Sequence, residues 1–370
     1  MIIKNALVFT DNSFIRKDIY IEKDRISNSP IYGAEIIEAE GLYAIPGLID
    51  LHFHGCVGHD FSDGTPKALQ AIANYEAYWG ITGISPATMT LGYDQLSKIF
   101  KNAASYENNQ GAELVGINME GPYLSHAKKG AQNEAYLMTP NLEHFRTMQD
   151  FAGGLIKLVA IAPEEPGAMD FIKAVKNEVV VSLAHTTADY DTAAEAFQKG
   201  ASHVTHLYNA MPAFSHRSPG VIGAALDADH VKVELICDGV HIDPSVVRAT
   251  FKMFGDDRII LISDSMRATG LEDGEYTLGG QNVIVSGNKA LLKDGTIAGS
   301  TTNLMACMTT AVSMGIPLES AVKCASVNPA KQLGIYDEYG SLTPGKYANI
   351  VLLNKDLSIN KVILKGKVYR

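Results

Sequence analysis

No run of apolar residues approaches the roughly 18–20 needed to span a bilayer, and the opening "MIIKNALVFTDNSF" has no basic start, long apolar stretch or small-residue cleavage site of an export signal. Nothing here is expected to cross a membrane, and a cytoplasmic address is expected. Cysteine is scarce. Cys56, Cys237, Cys307 and Cys324, without paired short spacings, read as reduced thiols rather than a disulfide framework or a zinc knuckle. An excess of basic charge is also missing: 31 Lys and Arg against 41 Asp and Glu leave a formal net charge of −10. That balance disfavours nucleic acid or an anionic membrane surface as partner, because both need a basic footprint. Any anionic ligand must be held by cations placed locally. There is no internal repeat of roughly 20–50 residues and no low-complexity tract.

What is present is a recurring β-rich apolar run. Eight can be counted: "GLIDLHFH" (47–54), "ISPATM" (84–89), "LVGINME" (114–120), "IKLVAIAP" (156–163), "VVVSLAH" (179–185), "HVTHLYN" (203–209), "VKVELICDG" (231–239) and "IILISDS" (259–265). Between them lie stretches of helical character such as "PKALQAIANYEAYWG", "YDQLSKIFKNAAS" and "YDTAAEAFQKG", the last closed by a glycine suited to a helix C-terminus. Strands alternating with helices imply a parallel sheet, and eight such units imply a closed (β/α)8 TIM-like barrel within an α/β chain. The two ends of the chain differ from the middle. Residues 1–45 and 340–370 carry short alternating strands and turn residues, and together predict a small β-sandwich domain. The barrel would occupy 46–339, with a β-insert near 275–298.

In such barrels chemistry gathers at the C-terminal ends of the strands. The polar residues ending the runs are His52 and His54, Glu120, His185, His206 with Asn209, Asp238 with His241 just beyond, and Asp264. Alternate residues of a strand share a face, so His52 and His54 can both point into the barrel mouth. Glu120, His185 and His206 form the best ligand set: one carboxylate and two imidazoles leave an open position on a zinc-like ion, the arrangement of a hydrolytic site. His203, three residues before His206, would face the other way and is read as a packing or surface residue. His59, His126, His144, His216 and His230 have no strand-end placement. The fourth run ends in "AIAPEEP", and Lys157 sits at the wrong end of its strand to supply a carbamate bridge between two metals. Glu120 is then the one bridge available should His52 and His54 hold a second ion. Asp264, ending the eighth run, is either a cap for the next segment or a proton carrier beside activated water.

The motifs "IPGLIDLHFHG", "NMEGPYLS", "KKGAQN", "LAHTTADY", "THLYNAMPAFSHRSPG", "CDGVHIDP", "SDSMRATG" and "GSLTPGKYANIVLLN" resemble, in order and along the whole chain, the N-acetylglucosamine-6-phosphate deacetylases of the amidohydrolase superfamily. The resemblance implies that Glu120, His185 and His206 hold the main metal and that Asp264 is general base and then acid. It further implies that Gln132, Asn209, the backbone near Ala210, Arg217, His241 and Met266 form the substrate site. A guanidinium and an imidazole suit a phosphate. Zinc or iron, one or two ions per subunit, is the implied cofactor, an amino-sugar phosphate the implied substrate and a homodimer the implied assembly. Two departures stand out. Gln132 follows "KKGA" where many relatives have histidine, and can still donate a neutral hydrogen bond to an amide carbonyl. Asn349 stands in "KYANI" where amidohydrolases usually show aspartate. Relatives with H-x-H on the first strand can hold a second ion, a role expected for His52 and His54. The rival substrates are N-acetylgalactosamine 6-phosphate or another N-acyl amino-sugar phosphate. A cyclic-amidase activity is disfavoured by the missing fourth-strand lysine and by Arg217, and a silent phosphosugar-binding regulator by the intact base and ligands.

Overall fold

The structure is a computed structural model in which residues 1–10 and 12–370 are described. The expected barrel is present. Its strands are β1 (Leu48–Asp50), β2 (Ile81–Ile84), β3 (Ile117–Met119), β4 (Ile156–Ile161), β5 (Val180–Leu183), β6 (His203–Val204), β7 (Lys232–Ile236) and β8 (Ile259–Ile262). Each is followed by a helix: α1 (Pro66–Tyr78), α2 (Tyr93–Ala104), α3 (Leu142–Phe151), α4 (Ala168–Val175), α5 (Tyr190–Lys199), α6 (Gly220–Asp227), α7 (Pro244–Phe254) and α8 (Leu304–Ser313). β1 and β2 pair in parallel, the segment Glu113–Leu114 joins β2 on the way into β3, and β3 to β8 follow in chain order. The ring closes where the Asp264 N–H donates to the His52 carbonyl at 3.0 Å and the His54 N–H to the Ser265 carbonyl at 2.7 Å.

The alternation of strand side chains decides what fills the ring and what faces the helices. On β8, Ile260 and Ile262 join Ile49, Leu51, Leu158 and Ile236 in one buried cluster, closed by Ala330 and Leu333. Ile259 and Leu261 belong instead to the larger cluster shared with the apolar faces of the helices.

Two of the expected strands lie elsewhere or end early. β2 ends at Ile84, the first residue of "ISPATM": Pro86 has no N–H for the ladder, and past it the pairing continues through the bridge Ala87–Asn118 and scattered main-chain bonds. β6 stops at Val204, since His206, Tyr208 and Ala210 take φ values of 29°, 80° and 52°, a region closed to a strand. β5 and β8 end in the same way, at His185 (φ 43°) and Asp264 (φ 50°).

Both chain ends contribute to one eight-stranded sheet. Strands Ile2–Thr10, Ser13–Glu22, Arg25–Ser27, Ile36–Glu38 and Tyr43–Pro46 come from the start, and Ile350–Leu353, Ile359–Leu364 and Lys367–Val368 from the end. They meet where Ile350–Leu353 pairs antiparallel with Tyr43–Pro46, and the sheet has its own core of Ile3, Val8, Ile19, Ile21, Ile350 and Ile363 among others. After β8 the antiparallel strands Gly274–Leu278, Gln281–Ser286 and Lys289–Leu291 form a separate three-stranded sheet. Among the described residues no helix is long and apolar enough to cross a membrane.

Two short helices, α9 (Leu318–Val322) and α10 (Asn328–Gln332), joined by a π-helical turn at Lys323–Val327, lead the chain back beneath the barrel. Buried Asn328 ties them to β8: its Nδ2 donates to the carbonyls of Asp256 at 2.6 Å and Ile259 at 2.7 Å. Truncation strands both acceptors. Asn328→Ala is expected to lower stability by about 1–3 kcal/mol, read as a lower urea midpoint at unchanged slope; an unchanged midpoint would show that the tie is dispensable.

Candidate metal centre

The strained strand ends turn their side chains into the mouth of the barrel. Glu120, one residue past β3, is followed by Gly121 at φ 84°, where a Cβ would lie 2.1 Å from the Thr90 hydroxyl oxygen. Only glycine allows the chain to leave β3 so close to Thr90. The Glu120 carboxylate then sits at the centre of four imidazoles. Its Oε1 lies 3.2 Å from His185 Nε2, 3.4 Å from His206 Nε2 and 3.5 Å from His52 Nε2, and its Oε2 lies 3.4 Å from His54 Nε2. His185 Nε2 and His206 Nε2 are 3.2 Å apart. Asp264 Oδ1 stands at the edge, 3.4 Å from His54 Nε2 and 3.8 Å from His52 Nε2.

Two sets of donors result, Glu120 with His185 and His206, and Glu120 with His52 and His54, each within 4.8 Å throughout and each buried. The hydrogen-bond inventory fits a cation. His185 Nδ1 faces the Lys128 carbonyl at 2.8 Å and His52 Nδ1 faces Glu234 Oε2 at 2.8 Å. Each imidazole thus directs its other nitrogen, Nε2, at Glu120, and His52 Nε2 has no hydrogen-bond partner among the described residues. Buried donors and acceptors are ordinarily paired; converging imidazole lone pairs are satisfied together by one metal ion. With no cation bound, burial alone would raise the Glu120 carboxyl, but the charge of a protonated His52 and hydrogen bonds from His185 and His206 hold it well below the usual carboxylate range. Asp264 is likewise lowered, its burial outweighed by His54 and His52.

All of these groups but His52 line a cavity of about 450 Å³, together with Gln132, Asn209, Ala210 and His241. Gln132 is fixed from both ends: its Oε1 accepts the Thr90 N–H at 2.7 Å and its Nε2 donates to Glu120 Oε2 at 2.9 Å. One N–H is therefore committed to Glu120, and the other makes no bond among the described residues. Asn209 Nδ2 donates to the carbonyls of His206 and Leu207, both at 3.3 Å. His241 Nδ1 meets Asp238 Oδ2 at 2.7 Å. Leu278, Thr296 and Ile297, from the sheet after β8 and its following loop, form part of the wall.

Two expected substrate residues stand apart. Arg217 lies exposed on the loop 212–219 and does not line the cavity. Met266 is fully buried against Met89, Ala268 and Leu278, in the core beneath the small sheet. His203 is no surface residue: it is fully buried, with Nε2 3.0 Å from Glu234 Oε1. Because β6 has ended, His203 and His206 do not simply oppose each other; both reach Glu234, the second through its main-chain N–H at 2.9 Å.

Glu234, not singled out from the sequence, has one signal there, a lone acid inside the apolar run "VKVELICDG". Asp50 is a second such residue. Its Oδ1 accepts the His52 N–H at 3.2 Å and its Oδ2 the Ser263 hydroxyl at 2.5 Å, linking β1 to β8, and burial pushes it up to about 7. Beyond β4, half-buried Glu164 takes the Thr187 N–H and the hydroxyls of Thr186 and Thr187 and so fixes the loop after His185.

A barrel with this ligand pattern at its mouth defines a metal-dependent hydrolase of the amidohydrolase type, and the model of the amidohydrolase family matches residues 43–369. The chain belongs to that family. Within it, the chain is 37% identical over 382 aligned positions to N-acetylglucosamine-6-phosphate deacetylase of Bacillus subtilis, covering 100% of this chain and 96% of that protein. It is 32% identical to N-acetylgalactosamine-6-phosphate deacetylase of Escherichia coli, covering 90% of this chain and 89% of the relative. Among solved structures, a Mycobacterium smegmatis N-acetyl-D-glucosamine-6-phosphate deacetylase variant in complex with N-acetyl-D-glucosamine 6-phosphate superposes with a TM-score of 0.93 at 31% identity, over 100% of this chain and 98% of that one.

Proposed function

We propose that this enzyme hydrolyses the acetamide of N-acetylglucosamine 6-phosphate to glucosamine 6-phosphate and acetate. The observation that carries the reading is the convergence of Glu120 Oε1, His185 Nε2 and His206 Nε2 on one point of the cavity floor, 3.2–3.4 Å from one another, with Asp264 beside them. Those three residues would hold a divalent cation, zinc or iron, and His52 and His54 with Glu120 a second. Bound there, the cation supplies the Lewis acidity that makes water a nucleophile near neutral pH.

The remaining work falls to the chain's own groups. Asp264 Oδ1 takes a proton from the attacking water as the C–O bond forms, and returns it to the amide nitrogen as the C–N bond breaks, so that acetate and a free amine leave. The uncommitted N–H of Gln132 donates to the carbonyl oxygen as charge grows on it. His241 and Asn209, on the cavity wall, hold the phosphosugar. Arg217 stands on a loop beside Phe214, which is 45% exposed, and reaches a phosphate in the mouth of a neighbouring subunit, which makes the working form a homodimer. Buried, unpaired thiols at all four cysteines support a reducing, cytoplasmic setting. Deacetylation of the galactosamine epimer is the second reading, supported by the Escherichia coli relative.

Asp264→Asn is expected to keep substrate binding and lower turnover roughly 10²- to 10⁴-fold, measured as acetate release from N-acetylglucosamine 6-phosphate. Near-parental turnover would remove Asp264 from the reaction.

A pH dependence follows from His241. Burial would lower its pKa, but the hydrogen bond and charge of Asp238 outweigh that and raise it, so the imidazolium persists above its ordinary range. Phosphate affinity is therefore full below the raised value and lost as pH climbs through it. Asp238→Asn, which retains an acceptor for the Val240 and His241 N–H groups, is expected to move the rise in KM to lower pH. A KM profile coincident with that of the parent would separate His241 from the phosphate.

A further inference from the structure

Glu234 lies in the middle of β7 and is fully buried. It faces the barrel interior, on the same side of its strand as Ile236. An ionised carboxylate there would be costly without partners, and three surround it. Oε2 takes His52 Nδ1 at 2.8 Å and the main-chain N–H of His206 at 2.9 Å; Oε1 takes His203 Nε2 at 3.0 Å. The chain of contacts goes on, with Gln332 Nε2 lying 3.1 Å from His203 Nδ1. Gln332 ends α10, beneath the barrel.

We infer that Glu234 is a positioning residue for the metal site, holding His52 with its ring proton on Nδ1 and its Nε2 aimed at Glu120, while pinning the backbone of His206. An ionised carboxylate only accepts, so the ring nitrogens bonded to it carry hydrogen. His203 Nδ1 is then an acceptor for Gln332, and His52 Nε2 keeps a lone pair for a metal. His206 is held through its main chain at the residue where φ is 29°, a conformation that persists only when its surroundings impose it. One carboxylate thereby sets a member of each donor set, His52 in one and His206 in the other. His185 relies on a different acceptor, the Lys128 carbonyl. The inference rests on reading His52 as a ligand.

The test is Zn²⁺ binding to the metal-free full-length protein by competition with a chromophoric chelator, for the parent, E234Q and E234M. Outer acceptors of ligating histidines typically govern metal affinity by about 10- to 100-fold, so E234M is expected to bind zinc weaker by that factor. E234Q is expected between the two, because its amide oxygen can still accept the two bonds now made by Oε2. A purely structural role would change folding without this graded order in zinc affinity. Should E234M fail to fold, E234Q decides by itself: a several-fold loss supports the role and parental affinity overturns it. A parent that takes up two zinc ions per subunit, with both variants equal to it, overturns the assignment of Glu234 alone. A parent that takes up one ion overturns the reading of His52 as a ligand, and this inference with it.

Discussion

Five buried Lewis bases share one small volume: the Glu120 carboxylate and the Nε2 atoms of His52, His54, His185 and His206. Left to themselves they would repel or remain unsatisfied, at a cost no apolar packing nearby offsets. A divalent cation turns that cost into binding energy, and much of the surrounding architecture keeps the groups in place for it. The barrel provides the frame, since neighbouring strand ends lie close enough for residues 52 to 264 to meet at one face.

Holding the groups there requires irregular backbone. His185, His206 and Asp264 all take positive φ, which costs of order 1–3 kcal/mol each and persists where the surroundings over-determine it. Those surroundings are visible as carboxylates placed around the site, Asp50 and Glu234 fully buried and Glu164 half-buried. Asp50 links β1 to Ser263 after β8, Glu164 holds the loop after His185, and Glu234 spans His52, His203 and His206. Acids buried on apolar strands are rare unless paired; here Asp50 and Glu234 are both paired, and all three carboxylates act on segments that present a proposed ligand or the proposed base. The strand order explains how: β7 lies between β6 and β8, so an inward carboxylate on β7 can reach the end of β6 and, across the ring, β1.

Much of this was legible in the sequence. Period-two apolar runs ending in His, Glu or Asp mark both the strands and the face on which they deliver chemistry, and five ligand candidates together with Asp264 meet at that face. Less legible were features that depend on pairing across long separations. The His52–Glu234 contact joins residues 182 positions apart, and nothing near Glu234 in the chain announces its partner. Spacing on an ideal strand puts His203 opposite His206, whereas β6 ends at Val204 and the rule no longer applies. Pro86 moved β2 earlier than its apolar run suggested. Position in the chain did not show that Arg217 stands on an exposed loop away from this chain's own cavity, or that Met266 is packed in a core, because both depend on how distant loops fold over the barrel mouth.

The most direct measurement is anomalous X-ray scattering from crystals of the purified enzyme, collected on either side of the absorption edge of the metal found in it. The expected result is a peak about 2.0–2.2 Å from Glu120 Oε1, His185 Nε2 and His206 Nε2. Active, metal-containing crystals whose anomalous peak lies away from those three atoms would contradict it.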